Sequence, residues 1–190
     1  MMGERLVMGI YDGRETVWVY HHWAGTRLDW IGLVTETWLK KKPQTAQEWV
    51  KALKELSDEF IISTEPISED ANYLVLVDLV SNIAVWIDIY QVWEKYNDVW
   101  KEHLFKEMFI RLANDGVYQV FPLIANLDFE VLYLNYPRQM LQRWEKVLDE
   151  VENRFKYKYG RIDNEMVKTY LNYFEKTRHA IEELKEKFHV

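Results

Sequence analysis

The pattern of apolar and polar residues near the N-terminus predicts a β-hairpin. Residues 5–11 and 16–22 are rich in β-branched and aromatic types and flank Asp12-Gly13, which is a strong hairpin signal. Strand alternation divides their apolar side chains between two faces. The first face carries Leu6, Met8, Ile10, Val17 and Val19. The second face carries Val7, Tyr11, Trp18 and Tyr20.

A second hairpin is predicted over residues 73–90, with its turn at or near Ser81-Asn82. Its alternating positions are again apolar on both sides, apart from Asp78 on one face and Asp88 on the other. Since neither face of either hairpin is polar, we expect both faces of the resulting sheet to be covered.

Two helices are predicted between the hairpins, over residues 26–41 and 45–60. Thr26 caps the first helix, which is apolar around most of its circumference and therefore belongs between layers. Thr45 and Glu48 form a capping box at the start of the second, whose apolar stripe is narrow. Residues 61–72 are predicted to form a short strand followed by a loop.

The second half of the chain has a helical pattern. A helix is predicted over residues 91–114, followed by an ambiguous apolar segment over 117–135. Two long helices follow, one starting at Pro137 and one capped by Asp163, and together they predict an antiparallel helix hairpin over residues 137–188. We therefore predict an α+β fold. An antiparallel sheet from two hairpins, with two packed helices, forms a domain over residues 1–91, and residues 92–190 form a helical subdomain that ends in the long helix hairpin.

Uncovered apolar surface also predicts the oligomeric state. The second hairpin and the last helix each carry an apolar stripe that one neighbouring helix does not fully cover. The stripe on the helix is formed by Val167, Phe174, Ile181 and Phe188. We therefore expect a symmetric homodimer through the second hairpin or through the terminal helices, because two-fold association is the commonest closed assembly.

Composition limits the classes of function. The chain has 190 residues, 48% of them apolar and 29% charged, which is typical of soluble globular proteins. The absence of cysteine excludes disulfides, thiolate metal sites and a cysteine nucleophile. A net charge of −7 argues against nucleic acid as a partner. Residues 1–6 lack the apolar core of a secretory signal, and the longest apolar stretch is interrupted by carboxylates, so we expect a cytoplasmic protein with no membrane segment.

The most unusual string runs from Tyr20 to Gly25 and contains His21, His22 and Trp23. Adjacent strand residues point to opposite faces, so the two histidines do not bind one metal together. One hypothesis is that an imidazole at the strand end lies beside Asp29 and titrates or binds a ligand. The other is that these residues only shape the corner between strand and helix, with Gly25 supplying a positive φ.

Other candidate chemistry is sparse. Asp78 and Asp88 are predicted to be buried acids, on opposite faces and therefore not a carboxylate pair, with contacts to Arg, Lys or Tyr of neighbouring helices. His103 and Glu107 have the i,i+4 spacing of metal ligands but lack further ligands, so a solvated helix face is expected. We predict no catalytic residue, no metal and no cofactor.

The segment from Val17 to Thr26 resembles the hairpin end, Leu-Tyr-x-His-Trp-x-Gly-Thr, of small proteins found in phages, prophages and archaeal mobile elements. Matching residues are Tyr20, His22, Trp23, Gly25 and Thr26, and Leu76-Val77-Asp78 resembles a later strand of that family. The resemblance covers roughly residues 1–90, and Ala24 replaces the usual second glycine. It implies a hairpin-helix-helix-hairpin fold and a mobile-element origin, and it implies no reaction.

Three functions are hypotheses at this point. The first is a non-enzymatic interaction or accessory protein of a viral or plasmid-like element, with a possible protein partner for its many tryptophans. The second is a small hydrolase or nuclease that uses His21 or His22 with nearby carboxylates. The third is a DNA-associated protein that uses a basic cluster, for which the candidates are Arg138, Arg143, Lys156, Lys158 and Arg161. A concave pocket holding His22 and two carboxylates would favour an enzyme, whereas a flat aromatic patch would favour a binding protein.

Overall fold

The computed structural model describes residues 4–63, 71–95 and 98–190. The strands form one six-stranded sheet in the order β3-β2-β1-β4-β5-β6. Their bounds are β1 Leu6–Tyr11, β2 Thr16–His21, β3 Ile61–Ser63, β4 Tyr73–Asp78, β5 Ile83–Asp88 and β6 Phe129–Tyr133. The helices are α1 Arg27–Lys41, α2 Ala46–Leu56, α3 Tyr90–Lys95, α4 Asp98–Asp115, α5 Phe121–Ile124, α6 Pro137–Tyr159 and α7 Glu165–Lys187, with a 3₁₀ turn at Val117–Gln119.

Both predicted hairpins are confirmed, and they join side by side. In the first hairpin Leu6 pairs with His21, and in the second Tyr73 pairs with Asp88. The two hairpins meet through β1 and β4, which run parallel, so the sheet is mostly rather than wholly antiparallel. A parallel pair requires a long crossover connection, and α1 and α2 lie within that connection.

Helices cover both faces of the sheet. On one face α1, α2, α6 and α7 pack on the first-face side chains of β1 and β2, together with Val75, Val77 and Trp86. On the other face α4, α5 and the 3₁₀ turn pack on Val7, Trp18 and their neighbours. The division of apolar residues between the two faces is therefore as the alternation predicted. Placing the division between domains at residue 91 stays a prediction, and β6 and α6 from beyond it complete this sheet and its core.

Three predicted details are corrected by the structure. The second helix ends at Leu56 and not at residue 60. The last helix is capped by Asn164, whose side chain accepts the N–H of Val167 at 2.9 Å, and not by Asp163. The ambiguous segment contains β6, which was not predicted. Residues 64–70 of the predicted loop lie outside the described residues.

The surfaces expected to form a dimer are covered within one chain. Trp86 of the second hairpin is 7% exposed and stacks on Trp30 of α1 with ring centroids 6.4 Å apart. On α7, Phe174 and Ile181 are 2% and 1% exposed against the shared core. These surfaces therefore give no reason for association, and the oligomeric state stays a prediction.

Candidate functional site

A pocket lies where the end of β2 meets helices from both halves of the chain. Its volume is about 500 Å³. Apolar residues form most of its wall, and a few polar groups converge on it, as is usual for sites that take small molecules. The lining residues come from the β2–α1 corner (His21, Trp23, Ala24), α1 (Leu28, Asp29, Gly32, Leu33, Glu36), the end of α2 and the segment between α2 and β3 (Leu56, Ser57, Phe60), α6 (Trp144) and α7 (Tyr173, Lys176, Thr177, Ala180).

His21 is held in one orientation and one tautomer. Its side chain follows Val19 onto the face of α1 and α2, where it is 7% exposed and packs edge-on against Phe60. The Nδ1 atom accepts the backbone N–H of Trp23 at 3.0 Å. Nδ1 is therefore unprotonated, and the neutral ring carries its hydrogen on Nε2. That atom lies 3.3 Å from the hydroxyl of Ser57 and 3.4 Å from a carboxylate oxygen of Glu59.

Burial lowers the pKa of His21 from its ordinary value of 6.5, and the carboxylates of Glu59 and Asp29 act in the opposite direction. A group whose pKa is depressed by folding stabilises the fold fully above its unfolded pKa. That stabilisation is lost as the pH falls from about 6.5 through the pKa of the folded state.

We expect this loss to be measurable with a His21→Asn variant. The Asn carbonyl oxygen can accept the N–H of Trp23 in place of Nδ1, and it does not titrate. The free energy of unfolding of the wild type minus that of the variant should be constant above pH about 7 and should decrease from pH 6.5 to 5. Urea unfolding across this range measures it. A difference that stays constant or increases on acidification contradicts the lowered pKa of His21.

The same tautomer opposes nucleophilic catalysis by Ser57. A serine is activated when the facing imidazole nitrogen is unprotonated and accepts its proton. Here the facing nitrogen is Nε2, which carries the hydrogen, and the serine hydroxyl also accepts the backbone N–H of Glu59 at 3.2 Å. The His21–Ser57 pair is therefore suited to binding and orienting a ligand, with Nε2 as a hydrogen-bond donor.

Asp29 connects the first turn of α1 to α7. One carboxylate oxygen accepts the hydroxyl of Thr26 at 2.6 Å, and the other accepts the hydroxyl of Tyr173. Burial raises the pKa of Asp29 above its ordinary value, while these two hydrogen bonds act in the opposite direction. Burial and the adjacent carboxylate also raise the pKa of Tyr173, so its hydroxyl stays a donor.

The structure separates the two histidines. His22 points to the other side of β2 and is not part of the pocket lining, and its Nδ1 lies 3.2 Å from the hydroxyl of Tyr20. Trp23 is 50% exposed at the pocket and packs edge-on against His22, with ring centroids 4.4 Å apart. Thus His21, Trp23 and Asp29 belong to one site. His22 lies outside the lining and contacts the ring of Trp23.

Gly25 has a different role from the predicted one. It does not have a positive φ, since the positive-φ glycines among the described residues are Gly13 and Gly116. A Cβ at residue 25 would lie 2.6 Å from the carbonyl oxygen of Glu4 and 2.7 Å from the ring of Tyr73. The carbonyl of Gly25 also accepts the indole N–H of Trp86 at 3.0 Å. Glycine is required at this corner because the backbones approach closely.

The two predicted buried acids differ. Asp78 is 0% exposed and accepts three backbone N–H groups, from Val80, Ser81 and Val117, at 2.9–3.0 Å. The expected contacts to helix side chains are therefore wrong. Asp88 is only half-buried, contrary to the prediction, and accepts the backbone N–H of Tyr90 at 3.0 Å. Both positions serve the backbone of turns and lie outside the pocket.

Sequence reasoning missed the part of the pocket wall that α6 and α7 contribute. Trp144, Tyr173 and Lys176 come from α6 and α7, more than 100 residues from His21 in the chain. Trp144 is recognisable only as a core position of its helix, and Tyr173 and Lys176 are typical of a solvated helix face. No local signal indicated that α7 would lie over α1.

The other candidates stay on the surface. His103 is exposed, and Glu107 pairs with Arg111 at 3.4 Å. Of the basic cluster, Arg143 and Lys156 pair with Glu130 and Glu152. Across the described ranges there is no group of three or more potential metal-binding side chains. In the same part of the chain no helix is long and apolar enough to cross a bilayer.

Most tryptophans whose side chains are described lie in the core. Trp18, Trp30, Trp49, Trp86 and Trp144 are each less than 8% exposed, whereas Trp23 and Trp100 are about half exposed. Trp23 belongs to the pocket and not to a flat patch.

Comparison of the chain with known protein families, with curated proteins and with solved structures finds no match. The geometry of the pocket is therefore the basis for a proposed function.

Proposed function

We propose that this chain is a non-enzymatic binding protein whose pocket takes a small organic molecule with a largely apolar body. The observation that carries the proposal is the pocket itself. It is about 500 Å³ in volume, and His21, Trp23 and Asp29 converge there on a wall of Leu, Phe and Trp side chains. Such a wall gives affinity by burying apolar surface, while the few polar groups orient the ligand.

The positions of the polar groups support binding in preference to hydrolysis. The assigned tautomer gives His21 an N–H at Nε2, which faces the hydroxyl of Ser57 in the pocket lining, so the ring is fixed as a donor. Both oxygens of Asp29 already accept hydroxyl groups, which fixes the carboxylate and prepares it to receive a further donor. Fixed groups of this kind reduce the side-chain entropy that the protein loses when a ligand binds.

A place among phage, prophage and archaeal mobile-element proteins is also our proposal, and it rests on the motif Tyr20 to Thr26. In the folded chain this motif forms the corner that leads from β2 into α1. Thr26 caps α1 and accepts the N–H of Asp29 at 3.1 Å. The motif is thus one wall of the pocket, and we propose that an accessory role for such an element operates through the bound molecule.

Filling the pocket should abolish binding. We expect two substitutions, Ala180→Leu on α7 and Ala24→Leu at the corner, each to lower the affinity for any ligand of the pocket by about tenfold or more. The added side chain occupies volume that the ligand needs. The matched control is Ala113→Leu, which adds the same group at an exposed position of α4, on the opposite face of the sheet.

The probes are three compounds of similar shape that differ in charge: 2-(1-naphthyl)ethylamine, 2-(1-naphthyl)ethanol and 3-(1-naphthyl)propanoate. Isothermal titration calorimetry measures each with the wild type and the three variants. Binding of at least one probe, lost in both pocket variants and kept in the control, supports the proposal. If no probe binds at millimolar concentration, or if the control weakens binding as much as the pocket variants do, the proposal is wrong.

A further inference from the structure

Asp29 is a partly buried carboxylate of the pocket lining, and its hydrogen-bond partners are neutral. Its two oxygens accept the hydroxyls of Thr26 and Tyr173, and within the described part of the chain no Lys or Arg forms an ion pair with it. A carboxylate offers about four acceptor positions, so each oxygen can take one further donor. The N-terminus of α1 supplies a partial positive charge of roughly half a unit, which leaves the negative charge only partly compensated.

Burial makes this incomplete compensation costly. A buried charge is stable when it is paired and hydrogen-bonded, and otherwise its pKa shifts towards the neutral form. The raised pKa of Asp29 has burial as its first cause, and the counteracting groups are Thr26, Tyr173 and the ring of His21. A cation in the pocket would supply the positive charge that these groups do not provide.

The described lining carries two carboxylates, Asp29 and Glu36, and one lysine. Glu36 is the second lining carboxylate, and Lys40 binds it at 2.5 Å from outside the lining. Glu59 lies close to His21, with a side chain that is 65% exposed. Lys176 of α7 is the single cationic lining residue among those described, and it is exposed to solvent. His21 contributes no charge in its neutral form.

The wall beside the carboxylate suits an apolar body and a positive end. Trp23, Phe60 and Trp144 line the same pocket. Aromatic faces attract cations, and burial of an aromatic or aliphatic group supplies most of the binding free energy. An inorganic anion or a carboxylate would instead meet the negative charge of Asp29, which has no cationic partner among the described residues.

From these observations we infer that the ligand is an organic amine, with its ammonium group on Asp29 and its apolar body against Trp23, Phe60 and Trp144. This inference rests on the proposed binding function and names the chemical class of its ligand. A metal ion is a poorer occupant, because it needs several protein ligands and no cluster of three metal-binding side chains exists in the described ranges.

Two substitutions with opposite expected effects on amine affinity test the inference with the three naphthyl probes. We expect 2-(1-naphthyl)ethylamine to bind the wild type about tenfold more tightly than the alcohol, and the propanoate to bind most weakly. Asp29→Asn should reduce amine affinity by about tenfold and leave alcohol affinity within about twofold. Lys176→Gln should raise amine affinity by about two- to threefold, because a repelling charge is removed.

Controls separate charge from shape. Tyr173→Phe removes one hydrogen bond to Asp29 but keeps its charge, so the amine should still bind more tightly than the alcohol. Glu36→Gln should change amine affinity by less than about threefold, because that carboxylate is already paired with Lys40. Both variants, and Asp29→Asn, are compared by the alcohol titration, which reports whether the pocket is still formed.

The outcomes distinguish this inference from the proposed function. If the alcohol binds as tightly as the amine and Asp29→Asn leaves the amine unchanged, the pocket binds small molecules but the amine inference is wrong. If Asp29→Asn weakens the amine and the alcohol equally, Asp29 acts only on the shape of the pocket, and the inference is again wrong. If none of the three probes binds, both proposals are wrong.

Discussion

Replacing Asp78 with alanine is expected to lower the free energy of unfolding by about 4 kcal/mol, the largest effect that we expect from a single substitution in this chain. The carboxylate is 0% exposed and accepts three backbone N–H groups. Two of them, from Val80 and Ser81, close the turn between β4 and β5. The third, from Val117, attaches the 3₁₀ turn to the end of β4. Alanine leaves all three donors without their acceptor, and the most buried of them cannot turn to water.

Urea unfolding measures the loss, with Asp88→Ala as the matched control. Asp88 belongs to the same hairpin but is half-buried, so its removal should cost only about 1 kcal/mol. Asp78→Asn adds a test of the assigned acceptors, because its amide NH₂ would face a backbone donor. The Asp78→Asn variant should be less stable than the wild type by about 2 kcal/mol, although the side chain keeps almost the same shape. Equal costs for the alanine variants at 78 and 88 would contradict this account.

A single added methyl group should also destabilise the sheet. Gly9 of β1 lies directly opposite Trp18 of β2, and the indole ring covers it. A Cβ at residue 9 would lie 2.4 Å from Cζ3 and 2.5 Å from Cη2 of that ring. Trp18 is 4% exposed and packs edge-on against Phe109 of α4, with ring centroids 4.4 Å apart, so it has little room to move. We expect Gly9→Ala to cost about 2–3 kcal/mol.

A loss of stability in Gly9→Ala would be informative, because replacing glycine with alanine inside a strand usually stabilises the fold. A double-mutant cycle tests whether the indole is the cause. In a Trp18→Leu background the ring is gone, and Gly9→Ala should become neutral or slightly stabilising. A cost that persists in that background would show that contacts other than the indole exclude a side chain at residue 9.

The pocket depends on the two halves of the chain together. His21 and Asp29 are held by the N-terminal half, while Tyr173 and Lys176 reach them from α7. The hydrogen bond from Tyr173 to Asp29 and the ion pair of Lys185 with Glu145, at 2.6 Å, hold α7 against α1 and α6. A ligand in the pocket would therefore contact elements from both halves of the chain, and its binding should oppose their separation.

Local patterns in the sequence predict the hairpins, the capping of α1 and α2 and the face on which each strand residue lies. These features depend on neighbours in the chain. Alternation decides the face of Met8 or Val19 once a strand exists, and Thr26 and Thr45 satisfy amide groups three residues away. The same alternation places His21 on the face of α1, and its position beside Asp29 at the strand end was predicted as a hypothesis.

The tertiary structure decides what no local pattern contains. The parallel pairing of β1 with β4, the addition of β6 to the edge and the placement of α7 depend on contacts between residues far apart in sequence. Burial likewise separates Asp78 from Asp88, which the sequence presents as equivalent acids in apolar strands. The sequence by itself therefore determined the two hairpins, the main helices and the inward faces, because hydrophobic period and capping are local. Only packing determined the pocket, because its wall is made where those faces meet.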